Sequence, residues 1–372
     1  MLFAQTHVTF IRQKQIAIIG GGLAGLHAAY RLHRAGLPFQ LFEARDRLGG
    51  RILTVNEDGH PNEADFDLGP SWFWPDLRPG LSDLIDELGL ASFAQYTEGD
   101  MIYERGSGER PQRLHGMRQE PCSMRLSGGS ASLTRALASN LPRGTLHTGT
   151  ALTNLCLTEA GIELTCAREG HLFECGTFSH VIAAVPPRLL ASVIRFDPAL
   201  PATSLHLWQS TPTWMAPHAK CFALYDRPFW REAGLSGAAR SMVGPLVEVH
   251  DATTDQGKAA LFGFVGIPAA HRASIGQDLL IRAAIEQLTR LFGTEAGQPR
   301  TTLLKDWSAD EWTSTQADHS ASGHPSAAHV EWLVGPWAKR LLLAGSETST
   351  TEPGYLAGAV EASTRVVRLL KT

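Results

Sequence analysis

The stretch Ile16-Ala17-Ile18-Ile19-Gly20-Gly21-Gly22-Leu23-Ala24-Gly25-Leu26 constrains this chain more than any other. Four apolar residues, three of them β-branched, predict a short buried strand. Gly20, Gly22 and Gly25 then fall on the G-x-G-x-x-G spacing, and Leu26, Ala29, Tyr30 and Leu32 recur at helical intervals. In such a unit the first glycine allows a tight turn, the second lets backbone approach a pyrophosphate, and the third lets helix pack on strand. The helix start, with Leu23 and Ala24, offers free N–H groups and partial positive charge to a phosphate. A second strand is expected over Phe39–Phe42. It ends at Glu43, where a carboxylate can accept hydrogen bonds from a ribose.

The next loop, Glu43-Ala44-Arg45-Asp46-Arg47-Leu48-Gly49-Gly50-Arg51, places two glycines among three arginines. Such a loop can lie against a diphosphate, with guanidinium groups supplying charge. Taken together, Gly20–Gly25 and Glu43–Arg51 resemble the FAD-binding start of the flavin amine oxidases, the family of monoamine, polyamine and L-amino-acid oxidases. The resemblance extends over nearly the whole chain and implies an FAD cofactor. It places Gly20, Gly22, Leu23, Ala24, Gly25, Glu43, Ala44, Arg45, Gly49, Gly50 and Arg51 at the nucleotide end.

Further matches follow along the chain. Phe66-Asp67-Leu68-Gly69-Pro70-Ser71-Trp72 is similar to the family turn that passes the flavin ring, which brings Gly69, Pro70, Ser71 and Trp72 to the cofactor, with Trp74 nearby. Leu126–Ser130 resembles the loop by which the family's chain returns to the FAD domain. Leu152 matches the position whose backbone meets adenine, and His180–Pro187 the strand that closes the FAD domain. Lys220, on a strand followed by Pro228-Phe229-Trp230, falls on the family lysine that holds a water at flavin N5. Trp307 matches a tryptophan beside the flavin. Leu341–Thr348 and Gly354–Ala362 follow the family's C-terminal motif. Gly345, Ser346 and Glu347 are thereby expected at the ribityl phosphate, and Gly354, Tyr355 and Leu356 at the ring. The resemblance gives Lys220, Tyr355 and Trp307 the catalytic roles, with Tyr355 as one wall of a two-ring aromatic clamp.

One segment departs from the pattern. Gln316 and Ala317 stand where the monoamine oxidases carry a flavin-bonded Cys and then a Tyr. Non-covalent FAD is therefore expected, and one wall of the clamp is expected to be missing.

These readings imply an α/β chain: a Rossmann-like, three-layer FAD-binding domain with a mainly parallel sheet, and a second substrate domain built on a mixed β-sheet with helices. At 372 residues two domains are expected. The FAD domain is assigned to residues 1–78, 125–205 and 320–372, and the substrate domain to 79–124 and 206–319. Helices are expected over Ser82–Leu88 and Gln277–Phe292, whereas 99–124 shows little periodicity. The implied reaction is oxidation of a small-molecule amine: hydride passes from its α-carbon to flavin N5, the imine is hydrolysed, and oxygen becomes hydrogen peroxide. A desaturase of the same superfamily, acting on C–C bonds or with another acceptor, and a non-catalytic flavin-binding protein are the alternatives.

Composition excludes other classes. A net charge of −4, with no basic run interleaved with aromatics, argues against nucleic acid. No apolar run approaches a membrane span of ~20 residues. Met1–Gln15 lacks the pattern of a signal peptide, so a cytoplasmic location is expected. Cys122, Cys156, Cys166, Cys175 and Cys221 form no C-x-x-C pair and are expected as reduced thiols. His319, His324 and His329, five residues apart, lack a supporting metal-ligand pattern, so no metal is expected. Arg227, Arg231 and Arg240 are candidates for a substrate carboxylate, and oligomeric state is left open.

Overall fold

A computed structural model describes residues 15–61, 65–116, 120–320, 323–327 and 329–371. Most of Met1–Gln15, read above for a leader, lies outside them. The opening strand Ile16–Ile19 forms the centre of a five-stranded sheet. The order is Leu341–Leu343, His180–Ala183, Ile16–Ile19, Phe39–Phe42, Leu146–His147, and every pair is parallel. Ile18 stands between Ile182 and Leu41, all three fully buried. A parallel sheet is covered on both faces, which is why its strands read as continuous apolar runs.

On one face lie helices Leu23–Arg34, Ala131–Ser139 and Leu356–Leu369. Leu26, Leu133 and Val366 interdigitate there with Ile18 and Leu41. Helix Pro79–Glu87 adds Leu81, Leu84 and Ile85 to the same core. The turn from Ile19 into helix Leu23–Arg34 depends on glycine twice. Gly20 has φ +99°, and a Cβ on Gly25 would stand 1.9 Å from the Gly20 carbonyl oxygen. Only the bare backbone lets the helix begin that close to the strand.

The other face packs on a smaller sheet through Ala17, Val181, Leu155, Ile162 and Trp208. Its strands Ala151–Leu157, Ile162–Arg168 and His171–Phe178 are antiparallel, and Arg195–Asp197 runs parallel to the first. Here the expectation of five reduced thiols is corrected. Cys166 and Cys175 sit on adjacent strands, Cα atoms 6.4 Å apart, and form a disulfide. Cys122, Cys156 and Cys221 are free. The pairing follows from a hairpin register with an irregularity at Leu164/Thr165, which the nine-residue spacing does not reveal. The argument for a reducing compartment loses that support.

The third sheet has seven strands: Thr301–Asp306, Ala219–Tyr225, Ala259–Val265, Leu246–Asp251, Leu235–Ser241, Asp100–Glu104 and Gln112–Leu114, in that order. It is mixed, because Leu235–Ser241 runs parallel to Asp100–Glu104. The segment of little periodicity thus supplies two of its strands. Helix Gln277–Phe292, with the expected bounds, covers one face through Leu280, Ala284, Leu288 and Leu291. The opposite face turns Phe222 and Phe262 toward Phe66 and Leu68, the segment that borders the site. No helix among the described residues is long and apolar enough to cross a membrane.

Candidate active site

A single elongated cavity of about 940 Å³ joins the two ends of the chain's motif set. Gly20, Gly22, Leu23, Ala24, Glu43 and Arg45 line one end. Lys220, Ser71, Trp72, Gly354, Tyr355 and Leu356 line the other, with Gly49, Gly50, Arg51, Gly69, Pro70 and Ser346 between. That volume lies at the top of the range for small-molecule sites.

At the first end the two glycine loops are tied together. Gly49 N–H donates to the Gly21 carbonyl at 2.8 Å. Glu43, 3% exposed, accepts from Gly21 N–H at 2.6 Å through one oxygen and from Arg45 N–H at 2.8 Å through the other. The acid therefore holds the turn as well as facing the cavity. Arg45 is itself engaged: its guanidinium donates to Asp310 at 2.5 Å and to Thr313 at 2.9 Å. Arg51 is held by Glu347 Oε1 at 2.5 Å, the Trp214 carbonyl at 2.8 Å and Ser346 Oγ at 3.0 Å.

Two helices open on the cavity without a side-chain cap. Helix Leu23–Arg34 follows Gly22, helix Leu356–Leu369 follows Tyr355, and neither has an acidic residue in its first turn. Their free N–H groups and dipoles favour negative charge at both ends of the cavity. One end suits a diphosphate and the other an electron-rich ring. These features fit an extended flavin dinucleotide, nucleotide at Gly22 and ring near Lys220.

Lys220 is fully buried on its strand. Its Nζ donates to the Gly69 carbonyl at 2.6 Å, Ser71 Oγ at 2.9 Å and the Asp67 carbonyl at 3.3 Å. An ammonium has three N–H donors, and this loop takes all three. Burial pushes the Lys220 amine down to about 7, against the pull of Asp67. The Phe262 ring lies 4.5 Å and the Phe264 ring 5.2 Å from Nζ. The Asp67 carboxylate turns the other way. It accepts from Thr54 Oγ1 at 2.6 Å and from both N–H and Oγ of Ser130 at 2.9 Å, at the start of helix Ala131–Ser139. Asp67 thus fixes the loop that Lys220 grips. Trp72 donates from its indole N–H to Gln95 at 2.8 Å, and its ring packs against His250 at 4.8 Å and Phe262 at 5.5 Å.

Tyr355 lies in a stack. The His324 ring covers one side at 4.1 Å, and the Trp214 ring covers His324 at 3.6 Å. The Arg78 guanidinium lies 4.1 Å from the Tyr355 ring centre. The ring from the neighbouring loop, His324, lies in direct contact with Tyr355, so no gap separates the two. His218 packs at a tilt against Trp214, ring centres 4.6 Å apart. Burial, then Arg272 and His324, pushes its imidazole down to about 4.

Six expected contacts stand behind the cavity wall. Trp307, fully buried, donates its indole N–H to the Leu68 carbonyl at 3.0 Å and so supports the 68–71 loop from the rear. Trp307 is not among the residues that line the cavity. Leu152 sits in the core between the first sheet and the smaller one. Gly25, Gly345 and Glu347 serve close packing or hold Arg51, and Ala44 is absent from the lining. The three candidate arginines are ion-paired: Arg231 with Asp251, Arg227 with Glu232 and Glu295, and Arg240 with the cavity-lining Glu248. Sequence reading missed Trp214, His218, Glu248, Phe264 and Arg272 and weighed His324 only as a metal ligand; all six line the cavity. Their segments carry no glycine signature, and only the third sheet's register brings Phe264 beside Lys220.

The family described as flavin containing amine oxidoreductase matches over residues 23–118 and 112–371. A probable flavin-containing monoamine oxidase A of Dictyostelium discoideum is 25% identical, covering 96% of this chain and 97% of the relative. A putrescine oxidase of Kocuria rosea is 25% identical over 88% of this chain and 90% of its own. Among solved structures, a putrescine oxidase bound to putrescine superposes with a TM-score of 0.77 at 23% identity, covering 96% of this chain and 99% of that one. The match over most of the length and the two-ended cavity lead to one assignment: the chain belongs to the flavin-containing amine oxidoreductase family, with FAD as its cofactor.

Proposed function

We propose that this protein oxidises a small amine to an imine, which water hydrolyses, with oxygen as the electron acceptor. The observation that carries the reading is the continuity of the cavity from Gly22 to Lys220 and Tyr355. When bound, the flavin supplies the redox chemistry: hydride leaves the amine's α-carbon for N5, and the electrons return to oxygen as hydrogen peroxide. The chain's part is to hold, orient and exclude water. The uncapped start of helix Leu356–Leu369 favours negative charge on the reduced ring. Lys220 sets the Gly69–Ser71 loop against it and places a titratable nitrogen at the cavity wall. Trp214, His324 and Tyr355 border the amine site by their ring edges, because the faces of His324 and Tyr355 are taken up in the stack.

Two lining residues are acidic, Glu43 at the nucleotide end and Glu248 at the reacting end. Glu248 lies 3.1 Å from His250 Nε2 and 3.5 Å from the Arg240 guanidinium, and these neighbours, His250 first, hold its carboxyl below its ordinary range. An anion there favours an amine with a second cationic group, such as a diamine. The putrescine oxidase relative fits that reading.

The test is peroxide release over a panel of monoamines and diamines, run beside an artificial electron acceptor. Peroxide with an amine supports the proposal. Turnover with the artificial acceptor alone would transfer it to the desaturase-like alternative. Glu248→Gln is expected to raise KM for putrescine roughly tenfold and leave KM for butylamine within about twofold.

A further inference from the structure

Resting on the amine-oxidase reading, we propose that His324 is a catalytic residue that receives the substrate's amino group. Its Nε2 accepts a hydrogen bond from the amine N–H. An ammonium gives its proton to solvent water before it binds, so the amine that donates to Nε2 is the neutral form that hydride transfer requires.

Four observations point to this role. First, His324 Nδ1 lies 3.2 Å from the Pro353 carbonyl oxygen. A carbonyl can only accept, so Nδ1 carries the hydrogen and Nε2 keeps its lone pair. Nε2 has no hydrogen-bond partner among the described residues. Second, the ring is clamped between Trp214 at 3.6 Å and Tyr355 at 4.1 Å, the latter only 7° from parallel. A ring held on both faces keeps one orientation. Third, the ring lines the cavity together with Lys220 and Tyr355. Fourth, room for it is built into the backbone. Gly354 has φ +84°, and a Cβ there would come 2.9 Å from His324 Nδ1 and 2.8 Å from Trp214 Cβ.

The surroundings keep the imidazole neutral, as an acceptor must be. Burial is the first cause, and Arg78 and Arg51 oppose a further positive charge nearby. The Pro353 carbonyl and Glu347 pull the other way, and His218 faces the group beyond Trp214. Protonation on the acid side converts Nε2 into a donor and abolishes amine binding.

The experiment uses the flavin-loaded protein under anaerobic conditions with putrescine, butylamine, benzylamine and cyclohexylamine. The best of the four yields a Kd from the concentration dependence of flavin reduction. His324→Phe keeps the stacked ring and removes the acceptor. It is expected to raise Kd roughly tenfold and to erase the acid limb of the Kd profile, while His324→Asn, which restores an acceptor, recovers part of the loss. A Kd within about twofold of the original, with the same pH profile, would overturn the assignment. A second readout needs no turnover and no variant enzyme chemistry. Nitrogen NMR of histidine-labelled protein, assigned by the resonance missing in His324→Phe or His324→Asn, is expected to show the Nδ1–H tautomer, and an Nε2–H tautomer would overturn the assignment. If none of the four amines reduces the flavin of the unaltered protein, the amine-oxidase reading itself falls and this inference with it. That outcome is distinct from reduction that His324→Phe leaves unchanged.

Discussion

Tyr355 and His324 lie face to face, ring centres 4.1 Å apart, and Arg78 sits at the same distance from the Tyr355 ring. Tyr355 therefore works as the middle plate of a stack. Aromatic stacking and a cation over a ring each contribute on the order of 1 kcal/mol beyond the area they bury. Tyr355→Ala is expected to cost about 2–3 kcal/mol in denaturant unfolding. Tyr355→Phe, which keeps every ring contact, is expected to cost under about 0.5 kcal/mol. Equal losses would mean that the hydroxyl, and not the stack, matters.

Lys220 links burial to pH. Unfolded, its amine keeps the proton up to the ordinary 10.5, whereas folded it releases the proton at about 7. Between those values the unfolded chain binds the extra proton, so this group makes stability rise with pH across that window. Below pH 7 the full cost of burying the charge is present. The stability difference between the unaltered protein and Lys220→Met, followed by urea midpoints, is expected to move in favour of lysine as pH is raised from 7. A flat difference would contradict the placement.

His27 carries the opposite end of the scale. Its imidazole, buried between helices Leu23–Arg34 and Leu356–Leu369, lies 2.7 Å from Ser363 Oγ. Burial, helped by Arg31, pushes it down to about 3 from 6.5. Over that interval the unfolded chain binds the extra proton, so this contribution to stability is lost as pH falls below 6.5. His27→Gln, which cannot titrate, is expected to narrow its gap to the unaltered protein on acidification. A constant gap in urea midpoints would argue against a buried neutral ring.

Arg51 and Glu347 form the ion pair that joins the second glycine loop to the C-terminal motif. Glu347 is fully buried as a side chain, and Arg51 about a fifth exposed. Removing one member of such a pair leaves a charge without its counterion and costs roughly 3–5 kcal/mol. Glu347→Ala is expected to unfold earlier by that order and to purify with less bound flavin. Unchanged flavin content would separate the pair from cofactor retention.

The absence of a cysteine at Gln316 sets a further expectation. Flavin is expected to leave with the supernatant when the protein is precipitated by acid. Colour retained in the pellet would show covalent attachment.

The parts of the fold that are legible in sequence are those where one residue type answers a backbone demand. Gly20 and Gly25 announce a strand meeting a helix, because any side chain at Gly25 would collide with the Gly20 carbonyl. The Leu280–Leu291 stripe announces a helix for the same kind of reason. The disulfide and the ring stack escape such reading. Cys166 meets Cys175 only through the hairpin's register, and His324 meets Tyr355 only because two loops fold onto one edge of the cavity. Trp307 illustrates the intermediate case: the motif finds the residue, but only packing shows that it supports Leu68 from behind.

An amine placed at the Lys220–Tyr355 end of the cavity is expected to deliver electrons to a flavin bound along it. The direct measurement is flavin absorbance on anaerobic addition of amines to the purified protein. The expected result is a yellow protein that bleaches with at least one small amine and recovers its colour when air is admitted. A flavin-loaded protein whose spectrum no amine bleaches would contradict it.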